Sequence, residues 1–546
     1  MDNHHRSPYV AAPATTMLGP EGWACKSSNN AEQPADPRIS PSSRPLTADE
    51  LDLTLTRQLS DFLERISSRS QSEDTIEKGR LEEPIYVEFE EGDRRNPVNF
   101  SKKQKWTITV IACYSTVVAA STASTYAMGF PSMIRDLNCT QLQAITGYSV
   151  YALGFAIVPL VTASLSEEFG RRPLYTVSSF LFLLMYLMIA LAKNVQTVIV
   201  GRFLQGAVGS TAATMVGGTI ADIWSPKERG IPMAIFTMGA LGGTALGPII
   251  AGWIEMNPHL EWRWIQWIQM MNCGVLFILV LFMKETRPGV LLTSLAKKIR
   301  KETGDERYRS RVEDERGSLA KLIFVSCTRP LYLTLTEPIV TAFSLWAGFA
   351  WGVAYSFVSV IPLVFEKVHH FNTGLAGTTF VSMIIGSIFG LLTTFWQDSM
   401  YRKNYSKRGP EARLYAACFA SVLLPAGLFI FAWCTLPNVH WIGLNVAIVC
   451  FMWAIYIIYQ TVFSYLSDCY GTWASSASAG QSLARNLIGT AFPLFTTQMF
   501  ERLTFKWAGT LFACIATLMI PIPYVLFFWG PAIRRRSKVS RKVAQV

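Results

Sequence analysis

Apolar residues along this chain gather in long runs separated by short polar turns, without the two-residue alternation of strands or the narrow apolar stripe of a soluble helix. Twelve runs, centred near Val117, Phe155, Phe182, Gly209, Leu241, Val275, Trp351, Ser387, Leu423, Met452, Gly489 and Ala516, approach the roughly 20 residues that a membrane-spanning helix needs. Residues 1–95 precede them and are rich in Ser, Pro, Asp, Glu and Arg, with no apolar opening run of the signal-peptide kind. This tail is expected to be a disordered cytoplasmic segment. Within it, Leu55, Leu59, Phe62, Leu63 and Ile66 recur at helical spacing behind a capping box from Thr47 to Glu50, which predicts a short amphipathic helix. Between the sixth and seventh runs, residues 284–335 are polar, with twelve basic and seven acidic side chains. The pattern predicts an all-α membrane protein of twelve transmembrane helices in two six-helix bundles, 96–283 and 336–530. The 284–335 segment is then a cytoplasmic linker, and 531–546 a basic cytoplasmic tail.

Composition agrees with a bilayer environment: half of the 546 residues are apolar and 16% are charged. A formal charge of +11 points to nucleic acid only when the basic residues share one folded surface, and here they are spread over loops. They report topology instead, because Lys and Arg hold loops on the cytoplasmic side. With the N-terminus inside, eighteen fall on inner loops and flanks, against six outside (Arg135, Lys193, Arg263, Lys367, Arg502 and Lys506). Both termini are therefore expected in the cytoplasm. Asn138, in a sequon on an outer loop, is the predicted glycosylation site. The ten cysteines mostly fall within or beside the apolar runs and form no CxxC, so they read as packing residues rather than a disulfide framework.

Three stretches carry chemistry. ASLSEEFGRRP, residues 163–173, joins the second and third runs; its Glu167, Gly170, Arg171 and Arg172 suit a tight turn that latches helices by charge pairs. RFLQG places Arg202 inside the fourth run, at a cost of about 2.5–3.5 kcal/mol, with Gln205 one turn on. GALGGTALGPIIAG, residues 239–252, puts five glycines and a proline into the fifth run. Gly239, Gly243 and Gly247 recur every four residues, so one stripe of that helix lacks side chains and a neighbouring backbone can approach closely, while Pro248 adds a bend. Close helix packing alone would explain the stripe; the functional alternative is a thin-walled helix that lets two halves seal on one side while opening on the other.

With DIWSPKERG (222–230), SSASAGQSLARNLIGTAFPLF (475–495) and GPAIRRRS (530–537), these stretches in order resemble the motifs of the major facilitator superfamily, fungal twelve-span drug/proton antiporter branch. The resemblance spans roughly residues 95–535, with Ala163 and Glu167 standing where the family usually has Gly and Asp. It implies two bundles rocking about a central site, a functional Arg202, and export in exchange for protons.

A proton-coupled carrier needs titratable groups within reach of its cavity. All six histidines lie in the tail, on outer loops or at span ends, so carboxylates are the candidates: Glu337, just before Pro338 at the start of the seventh run, then Asp222. Arg202 and Arg485 are the clearly intramembrane charges. Gln481 and Asn486 form a polar stripe with Arg485, and Tyr355 and Tyr459 are candidate cavity walls. Two arginines without intramembrane acids tilt the cargo toward anionic or neutral compounds such as an organic acid or secondary metabolite. No GxxxxGK[ST], HExxH or GxSxG occurs, which argues against an enzyme, a metal site or a cofactor. The expectation is a monomeric, multi-pass exporter of a small organic compound, using protons, in the plasma membrane or alternatively the vacuolar one, without nucleic-acid partners. A polyamine or cationic-drug exporter, an uptake symporter and a non-transporting sensor on the same scaffold are the alternatives.

Overall fold

The computed structural model describes residues 84–225, 228–314, 318–537 and 539; the predicted amphipathic helix at 47–66 lies outside them. Long helices follow the apolar runs. In the first half they are α1 (Lys102–Met128), α2 (Gln141–Phe169), α3 (Arg171–Ala190), α4 (Val195–Ile223), α5 (Gly230–Glu255) and α6 (Glu261–Leu281). Local chemistry sets their starts. Ser101 caps α1 through the Gln104 amide, Thr140 and Gln143 form a full capping box on α2, and Asn194 caps α4 through Thr197. Gly170, at φ +96°, turns the chain between α2 and α3 in a conformation only glycine adopts easily. Asn138 ends a short helix (Phe130–Leu137) with left-handed φ 47°.

Residues 284–335, read from sequence as one polar linker, fold in part as two helices, α7 (Pro288–Thr303) and α8 (Leu319–Thr336). Arg329 and Pro330 interrupt the apolar pattern of α8, which is why hydropathy alone passes over it. The C-terminal end of α7 belongs to a small separate unit. There β1 (Ile85–Tyr86) pairs in parallel with β2 (Tyr308–Arg309), and Val87, Ala296 and Ile299 form its apolar core. Arg300 clamps Glu313 at 2.9 Å. Burial raises the Glu313 carboxyl, but the Arg300 and Ser310 hydrogen bonds outweigh it and hold the group below its ordinary range.

The second half contains α9 (Pro338–His369), α10 (Val381–Arg408), α11 (Tyr415–Cys434), α12 (Ile442–Tyr470), α13 (Ala474–Leu518) and α14 (Pro521–Arg536). α13 is two rods broken at Thr504, whose φ is 67°, and α14 continues the second rod past a turn. Together these helices fit twelve spans in two sets of six. By length and hydropathy alone, nine helical runs among the described residues can cross a membrane, two of them holding more than one rod. α4 is not among the nine, because its Arg, Gln, Ser, Thr and Gly positions dilute its hydropathy. Side chains such as Val177, Val275, Ile278, Leu392, Phe395 and Val422 stay exposed on the outer surface, as a lipid-facing belt requires.

Small residues bring the helices together. A Cβ on Gly243 would lie 2.9 Å from the Val117 carbonyl and 3.0 Å from Val117 Cα, and one on Gly247 would lie 2.8 Å from the Ser121 carbonyl. The glycine stripe of α5 therefore rests directly on the backbone of α1, with Gly239 above Val117 and Cys113. Its other edge meets the second half, where Gly252 lies against Gly377 and the Thr373 carbonyl. Pro248 sits within α5 at that level, its carbonyl against Gly377.

Candidate functional site

Arg202 is fully buried on α4, and no carboxylate among the described residues holds it. Its guanidinium lies between two rings, 4.3 Å from Tyr126 and 4.4 Å from Tyr151. It donates to the Thr122 carbonyl at 3.2 Å, the Gly147 carbonyl at 3.3 Å and Gln205 Oε1 at 2.7 Å. Helix packing makes this cradle possible. A Cβ on Gly154 would lie 2.5 Å from the Ala207 amide, one on Gly206 would strike the Tyr151 carbonyl, and Gly147 leaves room for the Tyr126 hydroxyl. Ring faces and carbonyl dipoles thus replace water around the charge, with cation–π contacts contributing about 2 kcal/mol when desolvated. Arg202 Nη2, Gln205 Nε2 and the Tyr126 hydroxyl have no hydrogen-bond partner among the described residues.

Arg485 occupies a comparable cradle on α13. Its guanidinium lies 4.3 Å from the Trp351 ring and 5.0 Å from Tyr459, and those two rings stack at 5.5 Å. Nη2 donates to Ser482 at 3.0 Å, while Nε has no hydrogen-bond partner among the described residues. Gln481 is buried one turn earlier, and the neighbouring Asn486 donates to the Phe155 carbonyl of α2 at 3.4 Å. Tyr355 packs against Trp351 and against Tyr148, whose hydroxyl donates to the Tyr355 carbonyl at 3.3 Å. The α2 stretch 147–155 therefore touches the cradles of both arginines. Gln460 faces the other way and bonds Thr237 of α5 at 3.0 Å.

Latches gather at the end of the bundle that carries the basic loops. In the first half, the Glu285 carboxylate accepts the amides of Arg171, Arg172, Thr286 and Arg287 at 2.8–3.0 Å. Arg171 bonds Asp222 at 3.1 Å and Ser166 at 2.6 Å, and Arg287 reaches Asp222 at 3.6 Å and Glu167 at 3.9 Å. Gly170 is required twice here, by its φ and because a Cβ would meet Glu285. The second half has its own set. Arg413 pairs with Asp468 at 2.9 Å and lies over Tyr401, while Arg534 grips the buried Glu411 with two 2.8 Å bonds. Glu337, 2% exposed at the start of α9, accepts from Tyr470 at 3.1 Å, from the Val539 amide at 3.2 Å and from the Ser537 hydroxyl.

The structure thus brings Arg202 together with Gln205, and Arg485 with Tyr459, Gln481 and Asn486, while Tyr355 bridges toward the first half. Asp222 and Glu337 stand apart from both arginines, in the latches. Sequence reasoning passes over Tyr126, Tyr151 and Trp351 because an aromatic inside an apolar run looks like packing. It passes over Glu285, Glu411 and Arg534 because partners more than a hundred residues apart leave no local spacing.

Comparison with known proteins identifies the family. A model of the Major Facilitator Superfamily matches residues 112–493. The chain is 35% identical to a major facilitator superfamily multidrug transporter of Aspergillus fumigatus, over 85% of this chain and 77% of that one. It is 31% identical to an efflux pump of Fusarium oxysporum, over 86% and 80%. Among solved structures, a proton:xylose symporter of the same superfamily matches with a TM-score of 0.56 and 14% identity, covering 79% of this chain and 96% of the other. That last likeness concerns the fold alone. Two sets of six helices, a latched loop after α2, a buried arginine on α4, a glycine-striped α5 and the family match converge: the chain belongs to the major facilitator superfamily.

Proposed function

We propose that this protein is a secondary active exporter of a small organic compound, working by alternating access with inward movement of protons. The observation that carries the reading is the pair of buried guanidiniums, Arg202 and Arg485, one in each set of six helices, on elements that touch a shared stretch of α2. A static membrane assembly has no need of such groups at about 2.5–3.5 kcal/mol each. The relatives named as a multidrug transporter and an efflux pump support export over uptake. In this reading Arg202, Gln205, Arg485, Gln481, Asn486, Tyr355 and Tyr459 meet the substrate, and the termini lie in the cytoplasm of a cell whose plasma membrane holds the carrier as a monomer.

Asp222 and Glu337 carry the coupling through the latches. Protonating Asp222 removes the charge that Arg171 and Arg287 grip. Protonating Glu337 weakens the hold on Tyr470, Ser537 and Val539. Either event loosens the end that must open toward the cytoplasm. A proton falling through about one pH unit and about 100 mV supplies ~1.4 and ~2.3 kcal/mol, enough for a several-hundredfold gradient of a neutral substrate. Cells lacking the gene are expected to retain several-fold more preloaded Nile red or fluorescein than cells expressing it. Lower retention in the deletion would make the protein an importer, and unchanged retention of both dyes would favour a sensor.

A further inference from the structure

Five buried polar groups at the two cradles have no hydrogen-bond partner among the described residues: Arg202 Nη2, Gln205 Nε2, the Tyr126 hydroxyl, Arg485 Nε and Trp351 Nε1. Four of them can only donate, and the Tyr126 hydroxyl can donate. Buried donors of this kind are left unbonded at a cost unless something that accepts completes them. Among the described residues, no carboxylate pairs with either guanidinium. Among the described residues, the fully buried carboxylates are Glu337 and Glu411, and both are already bound, the first by Tyr470, Ser537 and Val539, the second by Arg534. A cargo that carries an acceptor completes these donors.

The surroundings specify the rest of that cargo. Arg485 lies against the stacked pair of Trp351 and Tyr459, which presents flat π surface beside a cation, and Tyr355 continues the aromatic wall toward Tyr148. Tyr355 thus joins the Arg485 cradle, through Trp351, to the α2 segment beside Arg202, through Tyr148. A planar conjugated body stacks on such a wall, while its carboxylate takes the charge-assisted bonds that the guanidinium Nε offers. A protonated amine meets the opposite situation, two fixed cations and, among the described residues, no carboxylate paired with either.

Resting on the export reading, we propose that the cargo class is the aromatic or conjugated organic anion, a monocarboxylate with a flat ring system, anchored by Arg485 and completed by Arg202 with Gln205. Cationic amphiphiles are excluded by the same charges.

Purified full-length protein in lipid nanodiscs, titrated with three probes of one shape, tests this. 2-Naphthoate is expected to bind at least about tenfold more tightly than 2-naphthamide or 2-naphthylmethylamine, since the neutral and cationic forms forgo the charge-assisted bond. Arg485→Gln should remove most of the naphthoate preference, and Arg485→Lys should keep part of it. The ligand comparison on the unaltered protein stands even if a variant misfolds. Amide or amine binding as tight as naphthoate, absence of naphthoate binding, or a preference untouched by Arg485→Gln overturns the assignment. Naphthoate selectivity without dye extrusion from cells would leave the site standing and sink export. Dye extrusion without charge selectivity would leave export and sink the site.

Discussion

Replacing Gly243 by Leu is expected to abolish export while the protein still reaches the membrane. A Cβ at that position already lies 2.9 Å from the Val117 carbonyl and 3.1 Å from Ala120 Cβ, and the first obstacle is backbone, which cannot rotate out of the way. Overpacking of this kind costs about 1–3 kcal/mol in a well-packed core, with more where backbone must move. The strain falls on the contact between α1 and α5, and α5 also forms the seam with Gly377 and with Gln460 of the second half. A helix pushed off α1 can no longer seat against the opposite half, which in the proposed alternating-access cycle removes one of its two states. Dye efflux from expressing cells, normalised to surface protein, measures this. Efflux within twofold of the unaltered protein would contradict the sealing role of the stripe.

Arg534→Ala is expected to produce the largest loss of stability. Glu411 is 1% exposed, and its two oxygens are gripped by the Arg534 guanidinium, with Tyr465 a weaker third partner at 3.5 Å. Removing one member of a buried ion pair leaves an uncompensated charge, a change that costs about 3–5 kcal/mol. The same packing that hides Glu411 also closes over it, since a Cβ on Gly530 would lie 2.7 Å from Oε1. Thermal unfolding in detergent should show a large drop for Arg534→Ala. The double variant with Glu411→Gln should recover part of it, because the stranded charge is then gone. A drop worth less than about 1 kcal/mol would mean the pair behaves like an exposed one.

What the sequence made legible follows from which signals are local. Apolar runs placed the helices, because each span has to satisfy its backbone within itself and therefore appears as one continuous segment. The pairing of Gly239, Gly243 and Gly247 with a neighbour was legible for the same reason, since four-residue spacing is a property of a single helix. The neighbour, α1, was not, because nothing in residues 102–128 announces its partner. Arg202 and Arg485 stood out as charges where charges are expensive. Their cradles did not, because Tyr126, Tyr151 and Trp351 are apolar enough to pass as core until packing turns their faces toward a guanidinium. The helix α8 was hidden by Lys321, Arg329 and Pro330, which lower its hydropathy. Glu285 is one acid of a mostly basic segment by sequence; folding places it where two pairs of adjacent amides, 171/172 and 286/287, converge.

The link from buried cations and end latches to proton-driven export is the claim on which the account stands. Its most direct test is uptake of an extruded dye into inside-out membrane vesicles carrying the protein, with an imposed pH gradient, acid inside, and no ATP. Accumulation is expected to grow with the gradient, collapse with a protonophore and become insensitive to pH in Glu337→Gln. Accumulation of equal size with no gradient, or one that follows ATP alone, would contradict it.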